Sequence, residues 1–151
     1  MLADDEQEPS DYALYVSIAN QYTLLGDGKS AYKNLGYALL IDSEKTGLAW
    51  HNMGVLMERL GAYETARIAY GKAIGAQIVI ETYHTAYIQF LMRHFSEDGA
   101  AIEGAFLRAE TQFGEDFPSL LQLRAELLES GGKTKEADEV RKKLQMIISG
   151  S

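Results

Sequence analysis

Large and small side chains recur along this chain with a period of about 35 residues. The clearest set lies between residues 47 and 80 and consists of Trp50, Met53, Gly54, Met57, Gly61, Tyr63, Ala66, Tyr70 and Ala73. A matching set lies 35 residues earlier and consists of Tyr15, Ile18, Ala19, Tyr22, Gly26, Ala31, Leu35 and Ala38. In such a pattern the large side chains fill the space between two antiparallel helices, and a small residue at the crossing lets the backbones approach. The period therefore predicts an array of similar structural repeats.

Four repeats account for most of the sequence, at about 12–45, 47–80, 81–117 and 118–151. Gly26, Gly61 and the pair 131–132 stand where first helices should end in positive φ. The third repeat is irregular, with a longer turn at 94–99 and two possible registers for its first helix. The large-small-large positions are either Tyr83, Tyr87 and Phe90 or Tyr87, Leu91 and His94. No strand pattern is present, and we interpret residues 78–80 as a helix end.

The set around Trp50 resembles the tetratricopeptide repeat (TPR) pattern W-x2-L-G-x2-Y…A-x3-F. The resemblance implies an all-α fold, an α-α superhelix or TPR solenoid of about eight antiparallel helices. It also implies protein–protein interaction, with a peptide or other partner segment bound in the concave groove of the array. The groove residues it proposes are Val16, Asn20, Leu24, His51, Asn52, Val55, Arg59, Gln122 and Glu126, together with Thr85, Gln89 and Arg93 of the irregular third repeat in approximate terms.

One TPR subfamily, the co-chaperones with a two-carboxylate clamp, is not supported. Asn20 and Asn52 match its pattern, but Val16 replaces the first lysine, and residues 81–86 contain neither Lys nor Arg. The charge-assisted bonds of such a clamp are therefore missing.

The charge of the chain disfavours nucleic acid as a partner. The formal net charge is -8, and residues 1–11 carry five acids and no basic residue, which predicts an acidic flexible tail before a TPR domain at 12–151. Residues 81–117 hold seven acids against two arginines, so an electrostatic preference for a partner is expected near the third repeat. No apolar run is long enough for membrane insertion, and we expect a cytoplasmic protein, although a removed signal peptide would leave no trace.

Motifs for chemistry are weak. Residues 26–30 resemble the end of a phosphate-binding loop, but Thr23 stands where its first glycine should be, and a helix–helix turn is the better interpretation. The chain has three histidines and no cysteine, and no histidine pair has the i, i+4 spacing of a metal site. We expect no enzyme, catalytic residue, metal or cofactor.

Three functions remain as hypotheses. The first is an adaptor that binds a partner segment in the groove. The second is a structural scaffold that self-associates as a homo-oligomer or docks a neighbouring domain through the repeat ends, because Val140, Leu144, Ile147 and Ile148 extend an apolar stripe along the last helix. The third is a ligand-binding protein or enzyme subunit with a pocket beside the irregular third repeat.

Overall fold

The computed structural model describes residues 9–150, and the regular secondary structure in that range is helical. The eight helices are α1 (Pro9–Leu24), α2 (Gly28–Ile41), α3 (Leu48–Arg59), α4 (Tyr63–Ile74), α5 (Glu81–His94), α6 (Gly99–Phe113), α7 (Pro118–Ser130) and α8 (Thr134–Ile148). The predicted all-α class and the predicted helix number are confirmed for this range. Most of the acidic tail predicted at 1–11 lies outside the described residues, and α1 begins at Pro9.

The chain forms two compact units, a first unit that ends at Tyr83 and a second unit that begins at His84. In the first unit α1 packs on α2, α3 packs on α4, and both α1 and α2 contact α3. In the second unit α7 packs on α8, α6 contacts α7, and the His84 ring of α5 contacts Phe113 of α6. Consecutive helices thus pack in pairs, as a helical repeat requires.

Three of the turns inside helix pairs share one backbone geometry. Gly26, Gly61 and Gly132 have φ of 82°, 77° and 79°, which confirms the predicted positive-φ glycines. In each turn the residue after the glycine donates its N–H to a carbonyl five positions back, at 2.9, 2.9 and 2.8 Å for Asp27, Ala62 and Lys133. This bond satisfies carbonyls that the helix end would otherwise leave unpaired.

The turn between α5 and α6 is built differently. It runs from Phe95 to Asp98 and is one residue longer than the other three, as predicted. It ends on Asp98, whose carboxylate accepts the Ala101 N–H at 3.0 Å and caps α6. In α5 Tyr83, Phe90 and Leu91 are all buried, so residues of both predicted registers contribute to the core.

Two glycines in the first unit mark close backbone approaches. A Cβ on Gly54 would lie 2.9 Å from the Tyr70 ring, so α3 and α4 cross at a position where a side chain does not fit. A Cβ on Gly47 would collide with the backbone carbonyl oxygen of Ala73. The first approach follows from the repeat pattern, whereas nothing in the sequence predicts the second.

The connections between successive pairs in the first unit touch each other. Gln77 and Ile78 donate their N–H groups to the carbonyls of Glu44 and Lys45 at 2.9 and 2.7 Å, and Thr46 and Ile78 form an isolated parallel bridge. The interpretation of residues 78–80 as a helix end is wrong, because α4 ends at Ile74 and these residues form an extended connection. Their apolar character reflects a β-branched segment that pairs with another loop.

Candidate partner-binding surfaces

Five of the predicted groove residues in the first unit form a surface that we call the α1–α3 face: Asn20, Leu24, Asn52, Val55 and Arg59. The two α1 residues are one helical turn apart, and the three α3 residues recur at i, i+3 and i+7, so each set shares one side of its helix. Asn20 and Arg59 are exposed, Leu24 is 70% exposed, and Asn52 and Val55 are half-buried. The face therefore combines amide, guanidinium and aliphatic groups.

Hydrogen bonds fix two side chains of the α1–α3 face. Arg59 donates one N–H to the carbonyl of Thr23 at 3.3 Å, which ties the end of α3 to the end of α1. Asn52 donates its amide to the carbonyl of Leu48, one turn earlier in α3, at 3.0 Å. A guanidinium has five N–H donors and an amide oxygen accepts two bonds, so both side chains keep capacity for a partner.

Val16 and His51 are less accessible than the groove prediction assumes. Val16 is 3% exposed and belongs to the core. The His51 ring lies 5.8 Å from the Tyr70 ring and 5.0 Å from the Tyr83 ring, and its Nδ1 is buried without a hydrogen-bond partner. Burial lowers the pKa of His51 below its ordinary value. Both side chains therefore contribute to the packing of the first unit.

A cleft of about 370 Å³ in the second unit gathers polar residues of α5 and α7 around an apolar base, and we call it the α5–α7 cleft. Its lining residues are Thr85, Gln89, Pro118, Ser119, Gln122, Leu123, Glu126, Leu144 and Ile148. Gln122 donates its amide to the Glu126 carboxylate at 3.0 Å. Of the predicted groove residues of α5, Thr85 and Gln89 line this cleft; Arg93 is exposed and does not line it.

Several acidic residues predicted to give the third repeat its charge are paired within the second unit. Arg124 contacts Glu103 at 2.7 Å and Glu110 at 3.6 Å, and its guanidinium lies 4.0 Å from the centre of the Phe106 ring. Lys143 contacts Asp116 at 2.6 Å. These contacts neutralise part of the local negative charge, and the expected electrostatic preference stays a prediction.

A second cleft, of about 620 Å³, lies in the first unit at the side of the α3–α4 pair, and we call it the outer cleft. Its lining residues are Ser43, Glu44, Trp50, Ile68, Gly71, Lys72, Gly75, Ala76 and Gln77. The repeat pattern assigns Trp50 to interhelical packing, but the side chain is only half-buried and one part of it lines this cleft. In the sequence, the outer cleft is indicated only by Gly71, a glycine in the middle of a helix that the repeat pattern does not require.

The histidines do not form a metal site in the described range, where no group of three His, Cys, Asp or Glu side chains could hold an ion. His84 is 1% exposed, and its Nε2 lies 3.2 Å from the amide oxygen of Gln112. Its Nδ1 is buried without a hydrogen-bond partner. Burial lowers the pKa of His84, and the nearby Arg108 charge acts in the same direction. His84 is therefore a core histidine.

The segment that resembles a phosphate-binding loop is a turn between α1 and α2. The Asp27 carboxylate accepts the backbone N–H of Ser30 at 3.1 Å and its hydroxyl at 2.8 Å, so it caps α2. These bonds lower the pKa of Asp27. A carboxylate at this helix start repels the phosphate that such a loop would hold.

Comparison of the chain with protein-family models gives no match, and comparison with curated protein sequences gives none either. Within residues 9–150, none of the helices has the length and apolar character needed to cross a membrane.

Proposed function

We propose that the protein is a TPR-type adaptor that binds a segment of another protein through the predicted groove residues of the first helix of each repeat. The observation that carries this proposal is the α5–α7 cleft, where Thr85, Gln89, Gln122 and Glu126 line one cavity. The resemblance to the TPR pattern predicts all four as groove residues. The shared turn geometry at three helix pairs and the close approach at Gly54 support the same family assignment.

The composition of the cleft favours an extended segment with a neutral or basic side chain. Gln89 and Gln122 can each donate to a carbonyl and accept from an N–H of a partner backbone. Leu123 and Leu144 are buried below them, and Ile148 is 63% exposed at the edge, so an apolar side chain of the partner gains contacts there. Glu126 is the one charged residue of the lining and disfavours an acidic partner.

The proposal is tested with a peptide that is selected for binding to the full chain from a random display library. Isothermal titration then measures the affinity of this peptide for the unmodified chain and for each variant. Gln122→Ala and Glu126→Ala should each weaken its binding by about fivefold or more, because each removes a polar contact. Glu139→Ala, an exposed glutamate of α8 outside the cleft, is the matched control and should leave the affinity unchanged. Asn52→Ala and Arg59→Ala report separately on the α1–α3 face. If all four variants bind as the unmodified chain does, the binding site lies neither in the α5–α7 cleft nor on the α1–α3 face.

Self-association is the second candidate, and the end of α8 supports it. Met146 and Ile148 are 67% and 63% exposed, and Ile147 is 37% exposed, on the last helix of the described range. Adjacent exposed apolar side chains of this size are typical of an interface. Sedimentation of the full chain should then show a dimer that Met146→Glu dissociates, whereas a strict monomer at high concentration would contradict this candidate.

A further inference from the structure

The outer cleft presents an aromatic ring with a lysine on its face. The Trp50 indole N–H donates to the carbonyl of Ser43 at 2.9 Å, which fixes the ring at the start of α3. The Lys72 ammonium of α4 lies 4.7 Å from the ring centre. Because this cation already covers a face of the indole, that face is unavailable for stacking of a sugar or a base, and the group that the cleft offers there is a positive charge.

Lys72 has no ion-pair partner among the described residues, and its ammonium contacts the Trp50 ring. The contact with the indole ring holds the Lys72 ammonium in position, and the ammonium can still donate charge-assisted hydrogen bonds to an anionic group. Glu44 also lines the cleft, so the surroundings repel an occupant with many negative charges. This pairing of charges favours a single carboxylate over a nucleic acid or another polyanion.

Gly71 and Ile68 form the apolar part of the outer cleft. Gly71 lies inside α4, where glycine costs about 1 kcal/mol relative to alanine. A Cβ there would meet nothing within 4 Å, so the packing of the chain itself does not require the glycine. Ile68, one turn earlier, is 61% exposed. An occupant can therefore approach the α4 backbone at Gly71 and cover Ile68.

We propose that the outer cleft binds an extended protein segment in which one carboxylate side chain adjoins an apolar side chain. The carboxylate pairs with Lys72 beside the indole ring, and the apolar side chain covers Ile68 over the open space at Gly71. This site lies on a different side of α3 from the α1–α3 face, because Trp50 and Asn52 are two residues apart on one helix. It goes beyond the adaptor function proposed above and does not depend on it.

Intrinsic fluorescence reads this site directly, because Trp50 is the only tryptophan of the chain. The probe is the acetylated and amidated peptide Gly-Ser-Leu-Glu-Leu-Ser-Gly, titrated into the full chain to millimolar concentration. We expect a saturable change in Trp50 emission. The affinity of the same peptide with Gln in place of Glu should be about threefold lower, because the ion pair with Lys72 is lost and an exposed ion pair changes an affinity only a few-fold.

Two variants test the assigned contacts. Lys72→Gln should abolish the preference for the Glu peptide, whereas Lys33→Gln, an exposed lysine of α2 outside the cleft, should keep it. Gly71→Leu fills the cleft, and its Cβ would meet nothing within 4 Å, so the fold should be kept and the circular dichroism spectrum should stay unchanged. The affinity for the Glu peptide should fall by about tenfold or more. The proposal is overturned by the absence of a saturable emission change, by equal binding of both peptides, or by undiminished binding to a folded Gly71→Leu chain.

Discussion

The crossing of α3 and α4 at Gly54 gives the sharpest stability prediction. Substitution of Gly54 by alanine places a Cβ 2.9 to 3.0 Å from three atoms of the Tyr70 ring. Tyr70 is 2% exposed, and its hydroxyl donates to the Glu58 carboxylate at 2.9 Å, so the ring cannot move away without losing packing and this bond. Overpacking of this kind costs about 1–3 kcal/mol.

Alanine in a helix interior also brings a gain of up to about 1 kcal/mol over glycine, which opposes the clash. We therefore expect Gly54→Ala to lower the free energy of unfolding by about 0.5–2 kcal/mol net. Gly36→Ala is the matched control, because Gly36 lies inside α2 and its Cβ would meet nothing within 4 Å. This control should raise the free energy of unfolding by about 0.5–1 kcal/mol.

Urea unfolding followed by Trp50 fluorescence measures both changes in the first unit, which contains that tryptophan. The opposite signs of the two glycine-to-alanine changes are the diagnostic result. In a Tyr70→Ala background the penalty of Gly54→Ala should disappear, because the ring that the Cβ meets is gone. If Gly54→Ala stabilises the chain as much as Gly36→Ala does, the helices do not approach at Gly54 and the reasoning fails.

Three further changes have defined outcomes. Burial lowers the pKa of His51 and His84 from 6.5, so the unfolded chain binds protons below that pH that the folded chain excludes. The contribution of the two histidines to stability should therefore be fully present well above pH 6.5 and should decrease as the pH falls through it. In the double variant His51→Phe, His84→Phe, the free energy of unfolding should depend less on pH between pH 6.5 and about 5, a range above that in which most carboxylates titrate. An unchanged dependence on pH would contradict the burial of these rings. Asp98→Ala should cost about 1 kcal/mol in urea unfolding through the lost cap of α6, and no loss would mean that the cap contributes nothing. Gly71→Ala should raise the free energy of unfolding by about 0.5–1 kcal/mol, and a destabilised variant would show that α4 is tightly covered at this position.

Features that depend on local backbone chemistry could be predicted from the sequence. Gly26, Gly61 and Gly132 end their helices with positive φ because glycine alone adopts this conformation without strain. The fold class and helix number could be predicted because the repeat pattern resembles the TPR pattern, in which each repeat is one helix pair.

Features that depend on contacts between distant segments could not be predicted in the same way. The extended segment 78–80 pairs with a loop more than 30 residues earlier, a contact that no local pattern encodes. The position of Trp50 is another example: the motif identifies a residue that packs between helices, but the half-exposed ring and the Lys72 above it depend on how α4 lies beside α3. Burial of Val16 depends in the same way on the packing around α1.

Hydrogen exchange of the full chain with and without a library-selected peptide is the most direct test of partner binding by the first helices. The adaptor proposal predicts slower exchange, on binding, in α5 around Gln89 and in α7 around Gln122, with no change in α2. Slower exchange confined to α2, or to α4 around Gly71, would contradict the proposed groove and place the partner elsewhere.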